Sequence, residues 1–119
     1  MHALIIEQDA WVVLMIEDAL ADAGYTSFDV AGSGADAMAL AEKRCPDLIT
    51  SDVRLGACSG IDTVRSICSN RCIPVVFVTA TGWEVRQTNR DLAVVQKPFS
   101  PEELKSAIRM AVANPVPLA

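Results

Sequence analysis

Residues 48–56, Leu-Ile-Thr-Ser-Asp-Val-Arg-Leu-Gly, run apolar and β-branched side chains straight into a carboxylate and then a glycine. An apolar run of this length, bounded by turn signals, reads as a strand from Asp47 to Ser51, covered on both faces as in a parallel sheet. Desolvating a carboxylate is costly without a compensating partner, so Asp52 is expected at the strand's rim, facing groups that offset its charge. Those groups must come from elsewhere in the chain.

Three further runs carry the same signal, at Ala3 to Ile6, Pro74 to Thr79 and Ala93 to Gln96, with a weaker one at Thr26 to Val30. Helical spacing separates them. Val12, Ile16, Ala19, Leu20 and Ala23 recur along one face, with Gly24 as the stop. Ser33 with Asp36 resembles a capping box opening a second helix to about Lys43, and Ile61, Val64, Ile67 and Cys68 mark a third. Ser100-Pro101-Glu102-Glu103 combines an N-cap serine, a first-turn proline and an acid at the third position, ahead of Leu104, Ala107, Ile108 and Ala111. Residues 83–90 are the doubtful helix. The order is β-α repeated five times, and right-handed crossovers make it an α/β fold, a doubly wound parallel sheet whose ligands bind outside the carboxyl ends of the strands.

A chain of 119 residues supports one core, so residues 1–119 are expected to form a single domain, with a core over about 3–113 and a frayed tail over 114–119. The net charge of −5, with no basic run longer than Lys43-Arg44, argues against a direct nucleic-acid partner. No apolar run approaches the roughly 20 residues of a membrane span and no basic flank precedes a leader, so the expectation is a cytoplasmic protein without membrane contact. Cys45, Cys58, Cys68 and Cys72 form no Cys-x-x-Cys, and His2 is expected at a flexible terminus. Reduced, buried or half-buried thiols are therefore expected rather than a zinc site.

The chemical signal lies just past the strand ends, in Glu7-Gln8-Asp9, Asp52, Thr79-Ala80-Thr81 and Lys97-Pro98. All fall on one edge, where an acidic turn, a carboxylate, a hydroxyl and an ammonium could hold a divalent cation beside a phosphoryl group. Singly, each has a bland reading: a strand-end Asp is commonly a helix cap, a Thr a strand former, a Lys a surface charge. Their joint occurrence on one edge outweighs those readings.

The set Ile5-Ile6-Glu7-Gln8-Asp9, Leu48 to Leu55 with Gly60 beyond, Val76-Phe77-Val78-Thr79-Ala80 and Lys97-Pro98-Phe99 resembles the response-regulator receiver domain (CheY-like) of two-component signalling, over about Ala3 to Ala113. The resemblance implies a five-stranded flavodoxin/CheY-like sheet in the order 2-1-3-4-5. It makes Asp52 the nucleophile that accepts a phosphoryl group from a sensor histidine kinase or histidine phosphotransfer protein. Carried over residue by residue, Glu7 and Gln8 fall on the acidic pair that holds Mg²⁺, Asp52 is acceptor and metal ligand, and Arg54 supplies a backbone carbonyl to the metal. Thr79 donates its hydroxyl to the phosphoryl oxygen, Lys97 pairs with that group or with free Asp52, and Pro98 follows a cis bond. Beyond this self-phosphorylation and slow autodephosphorylation, no enzyme activity is implied.

The chain departs from the family at several points. Gln8 replaces the carboxylate that usually touches the metal; a unit charge pair ~4 Å apart is worth ~4 kcal/mol at an effective dielectric of 20, so weaker Mg²⁺ binding is expected, with adjacent Asp9 as partial support. Val94 stands where many receivers carry a switch aromatic, and Trp83 is the candidate replacement, its bland alternative being a core or lid residue. Thr81-Gly82-Trp83 resembles the loop of a subgroup of single-domain receivers with a reduced fourth helix. Gly56 stands where many members carry proline, and the Arg54 side chain is expected to overlook the phosphoryl site.

Two functions are compatible with these features. A stand-alone relay would accept a phosphoryl group and act through protein contact, no output module being expected after the fifth helix. A degenerate receiver would bind partners without phosphorylation, with Gln8 and Val94 as marks of lost switching. A flavodoxin-like cofactor binder or phosphatase is disfavoured: no Gly-rich loop follows the first strand, and Arg54 stands where such phosphatases carry a second aspartate.

Overall fold

A computed structural model describes residues 1–118. Its elements run β1 (His2–Ile6), α1 (Ala10–Asp22), β2 (Ser27–Ala31), α2 (Gly34–Lys43), β3 (Leu48–Ser51), β4 (Arg54–Leu55), β5 (Cys58–Ser59), α3 (Gly60–Ile67), β6 (Val75–Thr79), α4 (Gly82–Thr88), β7 (Ala93–Gln96) and α5 (Pro101–Ala113). The sheet order is β2-β1-β3-β6-β7, every pair parallel. This is the expected 2-1-3-4-5 arrangement of a flavodoxin/CheY-like domain; the higher numbers arise because β4 and β5 form a separate antiparallel hairpin. That hairpin was not expected. Gly56, at φ +65°, opens its two-residue turn, a backbone that such turns reserve for glycine.

Local chemistry sets the helix ends. The Asp9 carboxylate caps α1 by accepting from the N–H of Trp11 at 2.9 Å, and Gly24, at φ +98°, takes the chain out of that helix. At α5 the capping box is complete: Glu103 N–H donates to Ser100 Oγ at 3.2 Å, and Ser100 N–H to Glu103 Oε1 at 3.3 Å. The doubtful segment is a helix that ends at Thr88, and Thr81 ahead of it provides no side-chain cap.

Alternate strand residues point to opposite faces. Leu4, Ile6, Ile49, Val75 and Phe77 pack with Ala37 and Ala41 of α2, Ile61 and Val64 of α3 and Val85 of α4. Ala3, Ile5, Leu48, Val76 and Val78 pack with Ile16 and Leu20 of α1 and Leu104 and Ile108 of α5. A one-residue slip of β1 or β6 would exchange these sets, so the register is pinned and, with it, what each strand carries past its end.

Three expectations need correction. His2 is not at a flexible terminus: it is buried in β1, its ring bonded to Ser27 Oγ at 2.8 Å and to Asp29 Oδ2 at 2.9 Å. The tail is not frayed over its described part, because Leu118 is buried in the α3-side core and its carbonyl accepts from Arg65 Nε at 3.2 Å; Ala119 lies outside the described residues. Of the four free cysteines only Cys68 is buried, and Cys45, Cys58 and Cys72 are exposed. Burial raises the Cys68 thiol pKa above its ordinary value.

Candidate functional site

Register brings the strand ends together. Ile6 lies opposite Ser51, so Glu7 and Asp52 leave the sheet side by side. Thr79 lies opposite Gln96, and the N–H of the next residue, Lys97, donates to the Thr79 carbonyl at 2.9 Å. Gly60, at the start of α3, sits directly against Asp52: a Cβ there would lie 1.7 Å from the Asp52 carbonyl oxygen. Its N–H donates to the Val53 carbonyl, tying α3 to the loop that carries the carboxylate. The Lys97–Pro98 peptide is cis, as the resemblance implies.

At the centre stands the Lys97 ammonium, 2.9 Å from Glu7 Oε1 and 2.9 Å from Asp52 Oδ2. Burial alone lowers the lysine pKa, but the hydrogen bonds and charges of Glu7 and Asp52 outweigh it and hold the ammonium above its ordinary value. The remaining oxygens face backbone. Glu7 Oε2 accepts from the N–H groups of Gln8 and Asp9, each at 3.1 Å, and Asp52 Oδ1 accepts from Val53 N–H at 2.7 Å. Two carboxylates against one ammonium leave a surplus negative charge beside the strand ends. Thr79 Oγ1 accepts from Thr81 N–H at 3.1 Å and lies 3.2 Å from Thr81 Oγ1.

Other expected site residues stand apart from this cluster. The Gln8 side chain turns to the β2–α2 loop, where Nε2 donates to the Gly32 carbonyl at 3.1 Å. Asp9 is engaged as the α1 cap. The Arg54 guanidinium pairs with Glu84 Oε1 of α4 at 3.3 Å, while Glu84 Oε2 is buried without a partner. Trp83 is 56% exposed, which rules out a core role. Beside Val94 the loop backbone is packed so closely that a Cβ on Gly82 would lie 3.0 Å from Val94 Cγ1. Sequence reasoning missed Gln96 and Glu84: Gln96 is visible only as a polar residue closing an apolar strand, and Glu84 carries no signal beyond its place in the doubtful helix.

Among the described residues no three His, Cys, Asp or Glu side chains converge closely enough to hold a metal by themselves. Glu7 and Asp52 nevertheless already hold one cationic centre between them, the Lys97 ammonium. An oxygen-only set of two carboxylates, completed by a backbone carbonyl and water, fits a hard divalent ion.

A doubly wound sheet with an acid pair, a hydroxyl and a lysine at its carboxyl edge defines the receiver class of signalling domain. The chain belongs to that family: the model of the response regulator receiver domain matches residues 3–109. It is similar to the transcriptional regulatory protein PdtaR of Mycobacterium tuberculosis, 36% identical over 117 residues, covering 95% of this chain and 57% of PdtaR. The chain thus spans a little over half the length of that curated relative. Among solved structures, the receiver domain of the PhyR response regulator of Erythrobacter litoralis superposes with a TM-score of 0.85 at 27% identity, over 96% of this chain and 91% of that one. The chemotaxis protein CheY4 of Vibrio cholerae gives 0.79 at 26% identity, over 92% and 97%. No helix among the described residues is long and apolar enough to cross a membrane.

Proposed function

We propose that this receiver is phosphorylated on Asp52 by a phosphohistidine of a histidine kinase or phosphotransfer protein, and that it signals by protein contact. The observation that carries the reading is the Lys97 ammonium held equally, at 2.9 Å, by Glu7 and Asp52. An Asp52 oxygen attacks the phosphorus, the P–N bond breaks with its electron pair passing to the imidazole, and an acyl phosphate remains. In this reading Lys97 would follow the charge from the free carboxylate to the phosphoryl oxygens, and Thr79 would donate its hydroxyl to one of them. Glu7, Asp52 and the Arg54 backbone carbonyl would hold Mg²⁺, which when bound offsets the charge of the phosphoryl oxygens.

Phosphorylation-independent binding is the second reading, favoured by Gln8 being turned onto Gly32 rather than towards the acids. Mass spectrometry after acetyl phosphate and Mg²⁺ separates the two. Wild type is expected to gain about 80 Da, the mass of one phosphoryl group, and Asp52→Asn to gain nothing. An adduct surviving in the variant would move the acceptor elsewhere. No adduct in wild type would leave the second reading standing, and a Mg²⁺ titration followed by tryptophan fluorescence would then report whether the metal binds at all.

A further inference from the structure

We infer that Gln96 is a positioning residue that aims the Thr79 hydroxyl, an inference resting on the proposed phosphorylation of Asp52. The last residue of β7, Gln96 uses both ends of its carboxamide on the loop after β6. Its Nε2 donates to the Ala80 carbonyl, and its Oε1 accepts from Gly82 N–H at 3.1 Å.

The geometry of one peptide unit carries the argument. The Ala80 carbonyl and the Thr81 N–H belong to the same planar trans unit, so they point in opposite directions. Gln96 holds the carbonyl, and the N–H is thereby turned onto Thr79 Oγ1 at 3.1 Å. A hydroxyl has one proton and two lone pairs. With a lone pair taken by Thr81 N–H, the Thr79 proton is left for Thr81 Oγ1 or for an arriving phosphoryl oxygen.

Only a side chain with a donor and an acceptor at this reach can hold both Ala80 and Gly82. Glutamate at neutral pH lacks the donor, methionine has no donor and only a weakly accepting sulfur, and asparagine is one methylene short. The loop closes down this far because residue 82 has no side chain: a Cβ there would lie 2.7 Å from Gln96 Oε1. Gln96 itself is exposed, so water can replace its bonds with little loss of stability. Water cannot replace the direction they impose on the peptide.

The test is the rate of Asp52 phosphorylation by acetyl phosphate at saturating Mg²⁺, in Gln96→Met and Gln96→Glu. Both are expected to react about tenfold more slowly than wild type at pH 7.5, with Mg²⁺ affinity unchanged and the melting temperature within about 3 °C. As pH falls from 7.5 towards 5, Gln96→Glu, measured against wild type at the same pH, should begin to recover, because the fraction of its carboxyl that carries a proton, and with it the missing donor, rises towards the ordinary glutamate pKa of about 4.3. Gln96→Met should not recover. In a Thr79→Ala background Gln96→Met should add nothing, because the hydroxyl it positions is gone. A wild-type rate in Gln96→Met, or the same loss with and without Thr79, overturns the inference while leaving the acceptor intact. Failure of wild type itself to take up phosphoryl removes the proposed function and this inference together.

Discussion

The two ends of the same sheet solve the problem of polar groups at a buried edge in opposite ways. At the amino end His2 is closed on every side: its ring meets Ser27 and Asp29, its N–H donates to Asp47 Oδ2 at 2.7 Å, and its carbonyl accepts from Asp47 N–H. At the carboxyl end two acids share one ammonium, and Glu84 Oε2 on α4 is buried with no partner. A closed network holds the fold. An open one, with charge in surplus, is ready to accept another charged group.

The sharpest way to test that contrast is at the backbone. Gly60→Ala would drive a Cβ into the Asp52 carbonyl, whereas Gly32→Ala on the β2–α2 loop would meet nothing within 4 Å. Urea unfolding is expected to show a loss of about 3 kcal/mol or more for the first and under about 0.5 kcal/mol for the second. Similar values would mean that the start of α3 gives way freely and Asp52 is not rigidly placed.

Next in size is His2→Ala, which strands part of a satisfied buried network and is expected to cost about 2 kcal/mol. Its phosphorylation rate should match wild type, since it lies at the far end of the sheet. A slowed rate would break the division between a structural end and a reactive one.

Lys97→Met is expected to cost a similar amount, about 2 kcal/mol at neutral pH, because the buried Glu7 and the partly buried Asp52 lose the cation they share, the partial exposure of Lys97 and Asp52 softening the loss. Its pH dependence is the more informative reading. The folded-state pKa of Lys97 is raised, so its stabilisation is complete below the unfolded value of about 10.4 and is lost as pH rises through the folded value. Tyr25 and Cys68 are raised as well, chiefly by burial, and contribute losses of the same sign on the alkaline side. Alkaline melts should therefore fall in both proteins, and less steeply in Lys97→Met. Parallel curves would show that the acids do not hold the ammonium.

The smallest effect is expected for Gln8→Asp. Without metal it exchanges the bond to Gly32 for a third acid at the rim, a loss under about 1 kcal/mol. With saturating Mg²⁺ the added carboxylate should increase the metal-induced rise in melting temperature above that of wild type. Equal rises would assign position 8 to the β2–α2 loop rather than to the charged edge.

Most of the fold was legible because its determinants are local or periodic. The apolar runs at residues 3–6 and 47–51, the Ser100–Glu103 capping box and Gly24 each specify their own element, and the β-α alternation then permits few topologies. The edge bearing Glu7, Asp52, Thr79 and Lys97 was legible for the same reason: residues that come after successive parallel strands must emerge at one end. Direction was not legible. Whether Gln8 turns to Gly32 or to the acids, whether Arg54 meets Glu84, and whether His2 is free or enclosed depend on side chains brought together from distant parts of the chain. Sequence spacing places a Cα on an edge, but a rotamer is chosen by whichever partner the packed neighbours leave within reach, and only the tertiary structure decides that.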